Sequence, residues 1–387
     1  MSSKRRDHGD GGIDARGPDT WRLRYYVKGK RYTVTFHGSR SDARKEVRRL
    51  IRSGDIGEHI APDKLTLTQW IDQWLELKAA NRRRKTVERY RELLRLHVVP
   101  KLGNRPIQQI ETREINSLYV NLDKALSPRS QHHIHVVLTS CLKAAVDNNL
   151  ITRNRAASAE RPSVGDDQVG QVLDRDQLLE LVRGFKGSTL YEIVCVAAFT
   201  GMRRGEILAL RWSDLNVSAK TLRIERALEY TRGHGLAFKA PKTARGRRTI
   251  VIDDFLIDLL RKEQERYLRA TTRVPDYAAV DLSLVKLPDD TLMFPAPDGE
   301  FTAPRHPDAV TKQFMARAAK LGFPGLRFHD LRGSHETVLL DDGMPVHTVA
   351  ARCGHDPAIL LRVYAKRTKK SDQSAAEVIG RLTKTIL

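Results

Sequence analysis

Cysteine is scarce in this chain. Cys141, Cys195 and Cys353 are its three cysteines, far apart and without a C-x-x-C pair, which argues against a disulfide framework or a structural zinc site. Long apolar runs are lacking too: no stretch approaches the roughly 18 apolar residues of a membrane span. The basic N-terminal MSSKRRDHGDGG carries no apolar segment of the kind a secretory signal needs. The expected location is therefore inside the cell, with no membrane partner. No internal repeat is evident. Acidic residues are in deficit, 47 Asp and Glu against 68 Lys and Arg, for a formal net charge of +21 and a pI near 10.0. Such an excess repels itself and favours a polyanionic partner, nucleic acid being the commonest. The plainer alternative is a ribosomal or merely soluble basic protein. The excess runs through residues 1–62 and 64–160 alike, so more than one region is able to meet phosphate.

At 387 residues the chain has room for two or three domains with cores of their own. Residues 1–18 are rich in Gly and charge, and disorder is expected at the start. From Trp21 the sequence alternates, Trp-Arg-Leu-Arg-Tyr-Tyr-Val, turns at Lys28-Gly29-Lys30, and alternates again to Phe36. That pattern predicts a β-hairpin with basic residues on one face. A strand over Gly12–Arg16 and a helix over Ser41–Ser53, with Ser41 as N-cap, complete a small unit that is either an ordinary solvated hairpin or a sheet that enters a DNA groove. A Gly/Pro-containing linker over 54–64 follows. Leu67, Trp70, Ile71, Trp74 and Leu75 recur at helical spacing as a core stripe. Further helices are expected from near Thr86, over Thr112–Leu122 and over Ser127–Asn148, with a loop from His97 to Arg105 between the first two. The result is a four-helix basic domain. His132, His133 and His135 share a long helix without acidic or thiolate partners, so no metal site is assigned to them. After a small, polar hinge over 156–171, Asp174-Arg175-Asp176-Gln177 caps an apolar helix of a larger domain. Three short strands are expected within it, over Thr221–Tyr230, Gly235–Ala240 and Arg247–Ile252.

The stretch Leu326–Lys366 concentrates chemistry: His329-Asp330-Leu331-Arg332, then Gly354-His355, then Tyr364. These supply a base or acid, an anion clamp, a second imidazole and a phenol able to act as nucleophile. Each is common by chance, and the ordered set carries the weight. Upstream, Thr200-Gly201-Met202-Arg203-Arg204-Gly205-Glu206 places glycines near a helix head, where an Arg and backbone amides can approach a phosphate. Pro241-Lys242-Thr243 falls between the second and third strands, where a Lys can reach over a substrate.

The ordered series Arg203, Lys242, His329, Arg332, His355 and Tyr364, with Tyr364 nine residues after His355, resembles the tyrosine recombinases of the lambda-type phage integrase family. The resemblance covers roughly residues 60–370. It implies a mainly α fold with an α+β catalytic domain. The expected parts are an N-terminal arm-type DNA-binding domain of three strands and a helix (residues 1–60), a helical core-binding, SAM-like domain (64–155), and a catalytic domain with a C-terminal tail helix (172–387). The family's chemistry would put Tyr364 on a DNA phosphorus, giving a 3′-phosphotyrosyl link and a free 5′-hydroxyl. Arg203 and Arg332 would hold the non-bridging oxygens, His329 would act as base or proton shuttle, Lys242 as acid for the leaving oxygen, and His355 as donor to the phosphate. Bond energy is kept in the phosphotyrosine, so neither ATP, metal nor another cofactor is implied.

The partners implied are double-stranded attachment sites, a homotetramer on DNA, and DNA-bending and directionality proteins. A cytoplasmic, nucleoid-associated location follows. Three positions depart from the family's pattern: Arg204 adjoins Arg203, Cys353 stands where Leu is usual, and Asn154-Arg155 where Asn-Pro is common. Alternatives are a Xer-like resolution recombinase, a type IB topoisomerase, and a helix-turn-helix regulator built on Thr337–Leu340 and Val346–Arg352. Beyond Tyr364, Ala375, Val378, Ile379, Leu382 and Ile386 recur at helical spacing. The family implies that this tail helix packs on a neighbouring protomer.

Overall fold

The computed structural model describes residues 11–55, 60–61, 63–123, 125–163, 170–241, 244–282, 284–297, 300–358 and 360–361. The chain divides into two compact units, Met1–Asp167 and Gln168–Leu387.

The first unit opens with an antiparallel sheet, β1 (Gly12–Gly17), β2 (Thr20–Val27) and β3 (Lys30–His37), followed by α1 (Arg40–Asp55). Lys28 and Gly29 both take positive φ, +49° and +74°, the twist that a two-residue hairpin turn demands. Trp21 pairs with Phe36, Leu23 with Val34 and Tyr25 with Tyr32. Period-2 alternation puts these on one face, with Arg22, Arg31 and Tyr26 on the other. Leu23 packs with Ala43 and Val47 of α1, backed by Ile13, Trp21, Phe36, Leu50 and Ile51. The helix begins earlier than the sequence pattern implied. Ser39, not Ser41, accepts the Asp42 N–H, because Gly38 ends the strand directly before it.

Next come α2 (Leu67–Asn81), α3 (Arg84–His97), the single turn α4 (Val99–Leu102), α5 (Thr112–Asp123) and α6 (Pro128–Asp147). Thr66 and Gln69 form a reciprocal capping box at the start of α2. Its stripe of Leu67, Trp70, Ile71, Trp74 and Leu75 is buried as expected, and Trp70 Nε1 donates to the Cys141 carbonyl of α6 at 3.0 Å. The expected loop after His97 is interrupted by α4, where Pro100 sits in the first turn, the place a helix tolerates it. His135 is buried against Tyr119, with Nδ1 and the phenol oxygen 3.0 Å apart, while His132 meets Arg161.

The second unit contains α7 (Arg175–Gly184), α8 (Tyr191–Thr200), the short α9 (Arg204–Ile207), β4 (Leu215–Asn216), β5 (Thr221–Ile224), β6 (Ala227–Thr231), β7 (Gly235–Lys239), β8 (Arg248–Val251), α10 (Asp254–Thr272), α11 (Pro307–Lys320), α12 (Asp330–Asp341) and α13 (Val346–Cys353). Asp174 and Gln177 cap α7 reciprocally. Strands β4, β5 and β8 form one antiparallel sheet and β6–β7 a separate hairpin. The single strand expected over Thr221–Tyr230 is therefore two. Arg226 leaves the ladder to reach the buried Asp214 carboxylate at 2.5 Å, and the chain changes sheets there. Helix α8 is buried along nearly its whole length, as its apolar sequence requires, and α12 packs on it. Residues Asp330 through Thr337 of α12 are all buried. Among the described residues no helix is long and apolar enough to cross a membrane, and no group of three His, Cys, Asp or Glu is placed to hold a metal ion. The tail-helix stripe over 375–386 lies outside the described residues.

Candidate active site

Two helix ends and the buried α12 converge on a few side chains. Helix α8 stops at Gly201, which is left-handed at φ +64°. A Cβ there would come within 2.7 Å of the His335 ring and 2.9 Å of Cys353 Sγ, so only glycine closes this turn. Helix α13 stops in the same way at Gly354, φ +66°, with the His355 amide bonded back to the Ala350 carbonyl.

Arg332 ties these two ends together. Its Nη1 donates to the Gly201 carbonyl at 2.7 Å, its Nη2 to the Cys353 carbonyl at 2.6 Å, and its Nε lies 3.0 Å from His355 Nε2. Only 2% of its surface is exposed. Burial pushes its guanidinium below the ordinary value, yet an arginine at this level remains a cation. The carbonyls it meets are the negative ends of two helix dipoles, which favour a positive charge.

Arg203 precedes α9 and reaches the same place from the other side. Its Nη2 donates to the Gly354 carbonyl at 3.2 Å and its Nη1 to Glu206 at 2.8 Å. Glu206 also accepts the Arg203 amide and Arg248 Nη2, each at 3.0 Å. Burial works against ionisation of Glu206 most strongly. Arg248 and Arg203 together outweigh it and hold the carboxyl below the usual range. Arg204 turns away to the Pro307 carbonyl and Thr311, so Arg203 is the one that stands beside Gly354-His355.

His329 sits at the head of α12 with its ring reaching solvent. The protein packed around it, and then the charge of Arg332, lower its imidazole pKa, leaving it neutral near pH 7 and able to take a proton. Cys353 is fully buried, and burial pushes its thiol up to about 12, so it packs and does not react. The structure thus brings together Arg203, His329, Arg332 and His355. Lys242 and Tyr364 lie outside the described residues. Sequence reading passed over Glu206, Arg248 and Glu336 as site residues. The signal for Glu206 was its place three residues after Arg203, and for Glu336 its place four after Arg332.

Cationic side chains gathered at two helix ends, next to an imidazole able to accept a proton, make an anion site equipped for phosphoryl transfer. Residues 171–371 match the phage integrase family, and residues 66–122 the phage integrase N-terminal SAM-like domain. The chain belongs to the phage integrase family, and its activity is that of a site-specific tyrosine recombinase. An integrase of Streptomyces ambofaciens is 24% identical over 99% of this chain and 98% of its own length. The Tn1549 transposon integrase, solved in complex with a circular intermediate DNA, has a TM-score of 0.65 at 17% identity, covering 81% of this chain and 99% of that one. A lambda integrase tetramer bound to a Holliday junction gives 0.55 at 18% identity, over 89% and 95%. The regulator reading of the α12–α13 pair gives way to an enzyme.

Proposed function

We propose that this chain integrates and excises a phage or other mobile element by cutting and rejoining double-stranded attachment sites through Tyr364. In this reading the Tyr364 oxygen attacks the scissile phosphorus, its proton passing to His329. The 3′-phosphotyrosyl bond forms as the bond to the 5′-oxygen breaks, and Lys242 protonates that oxygen. Arg203 and Arg332 carry the charge that grows on the non-bridging oxygens, where preorganised donors are worth most. His355 donates to the same phosphate. The observation that carries the reading is the convergence of Arg203 and Arg332 on the Cys353-Gly354-His355 turn.

The sheet unit over 1–60 reads arm-type DNA through its basic face, and residues 64–155 clamp the core site with the catalytic residues 172–387. Four protomers assemble across two sites, each tail helix docking on a neighbour, with accessory bending and directionality proteins at the nucleoid. The relatives solved on circular-intermediate DNA and on a Holliday junction support this arrangement. The test is covalent trapping. Protein mixed with a nicked suicide attachment-site duplex should give an adduct that survives denaturation, and Tyr364→Phe should bind the duplex yet trap none. An unchanged adduct yield in that variant would end the assignment.

A further inference from the structure

One buried carboxylate in α12 has no part in the chemistry above. Glu336 lies one helical turn after Arg332, on the same side of the helix, and 5% of its surface reaches solvent. Its Oε1 is 2.8 Å from His355 Nε2 and 3.2 Å from Arg332 Nε. A buried carboxylate persists only where cations or donors compensate it, and here these two neighbouring groups belong to the phosphate site.

The geometry decides what the cluster does. Arg332 Nε–H also points at His355 Nε2, 3.0 Å away, so three polar atoms form a close triangle. The carboxylate thus lies at ion-pair distance from the ring and the guanidinium at once. Arg332 is unable to turn away, because its other arms are bonded to Gly201 and Cys353. His329, His335 and Cys353 also feel the charge at Glu336. His335 is already bonded to the Ala198 carbonyl and to Arg352.

We infer that Glu336 is a positioning residue of the strand-transfer site: its carboxylate, at ion-pair distance from both, holds the His355 ring against Arg332, so that the two groups are presented together. The inference rests on the strand-transfer reading of the site. It assigns a role to a side chain that touches no substrate.

The test is a double-mutant cycle on single-turnover cleavage of the suicide duplex, using the full chain. Wild type, Glu336→Gln, His355→Ala and the double variant are compared, and half-site affinity is measured on the same preparations. Glu336→Gln should slow cleavage by about 10–100-fold, the usual effect of losing a partner that orients a functional imidazole, with half-site affinity unchanged. In the His355→Ala background the same substitution should add little. Glu336→Asp, which keeps the charge on a shorter arm, should recover part of the rate. An equal loss in both backgrounds would mean a structural role and overturn the inference, as would wild-type cleavage by Glu336→Gln. Wild-type cleavage by His355→Ala would remove the site reading itself, and the inference with it.

Discussion

Arg203 shares its carboxylate partner, Glu206, with Arg248, so removing the Arg203 guanidinium leaves Glu206 still paired. Arg332 holds more: its loss would strand the Gly201 and Cys353 carbonyls and take a cation from beside the buried Glu336. The two clamp residues should therefore fail differently. Arg203→Ala should raise the cleavage barrier by roughly 2.7–4 kcal/mol, the cost of losing one preorganised donor at a growing charge, with the melting temperature nearly unchanged. Arg332→Ala should lose as much cleavage and also about 3–5 kcal/mol of stability, the range for breaking one partner out of a buried ion pair. Single-turnover kinetics beside thermal melts would separate the cases. Equal melting temperatures for the two variants would contradict the packing described here.

At the scale of the element, α12 is held to α8 through an imidazole. His335 donates Nδ1–H to the Ala198 carbonyl at 2.9 Å and accepts from Arg352 on Nε2. Burial lowers its pKa from the ordinary 6.5 to about 4. The unfolded chain therefore binds a proton between those two values that the folded chain refuses. Stability from this group is complete above pH 6.5 and drains away as the pH falls to about 4, by on the order of 3 kcal/mol. Denaturant melts over that range should show the slope, and His335→Gln should flatten it.

Elements of this kind were unevenly legible in the sequence. The α2 stripe and the β2–β3 alternation were read correctly because periodicity reports burial directly. The split between β5 and β6 was hidden, since it depends on Arg226 reaching a carboxylate twelve residues upstream. Glu206, Arg248 and Glu336 were missed as site residues for a related reason. Charged side chains on a helix or strand ordinarily mark a solvated face, and only the fold shows that these three point inward. Arg203, His329, Arg332 and His355, which the fold places together, were picked out by their fixed order, which needs no knowledge of packing.

For the whole molecule, the first prediction concerns its N-terminal sheet. Its hydrophobic cluster shares no residue with the cluster of α2–α6, so deletion of residues 1–60 should leave a chain that folds and cleaves a short core-site duplex. Recombination between long attachment sites should fall sharply, because the basic face of β2 and β3 goes with the deleted part. Equal recombination of long sites by the truncated form would show that no arm-type site is read.

The same cluster has a second consequence, in the response to warming. Its fully enclosed members are Leu23, Ala43 and Val47, a small holding beside the other cores, and small cores open at lower free energy. On slow heating the amides of β2 and β3 should exchange first, and a protease should trim the N-terminal end before it touches the rest. Between that first opening and the main transition, the intact protein would behave as its own truncation, still cutting short duplexes while failing to join long ones. Temperature alone would then toggle the enzyme between joining and mere cutting, and cooling should restore the first.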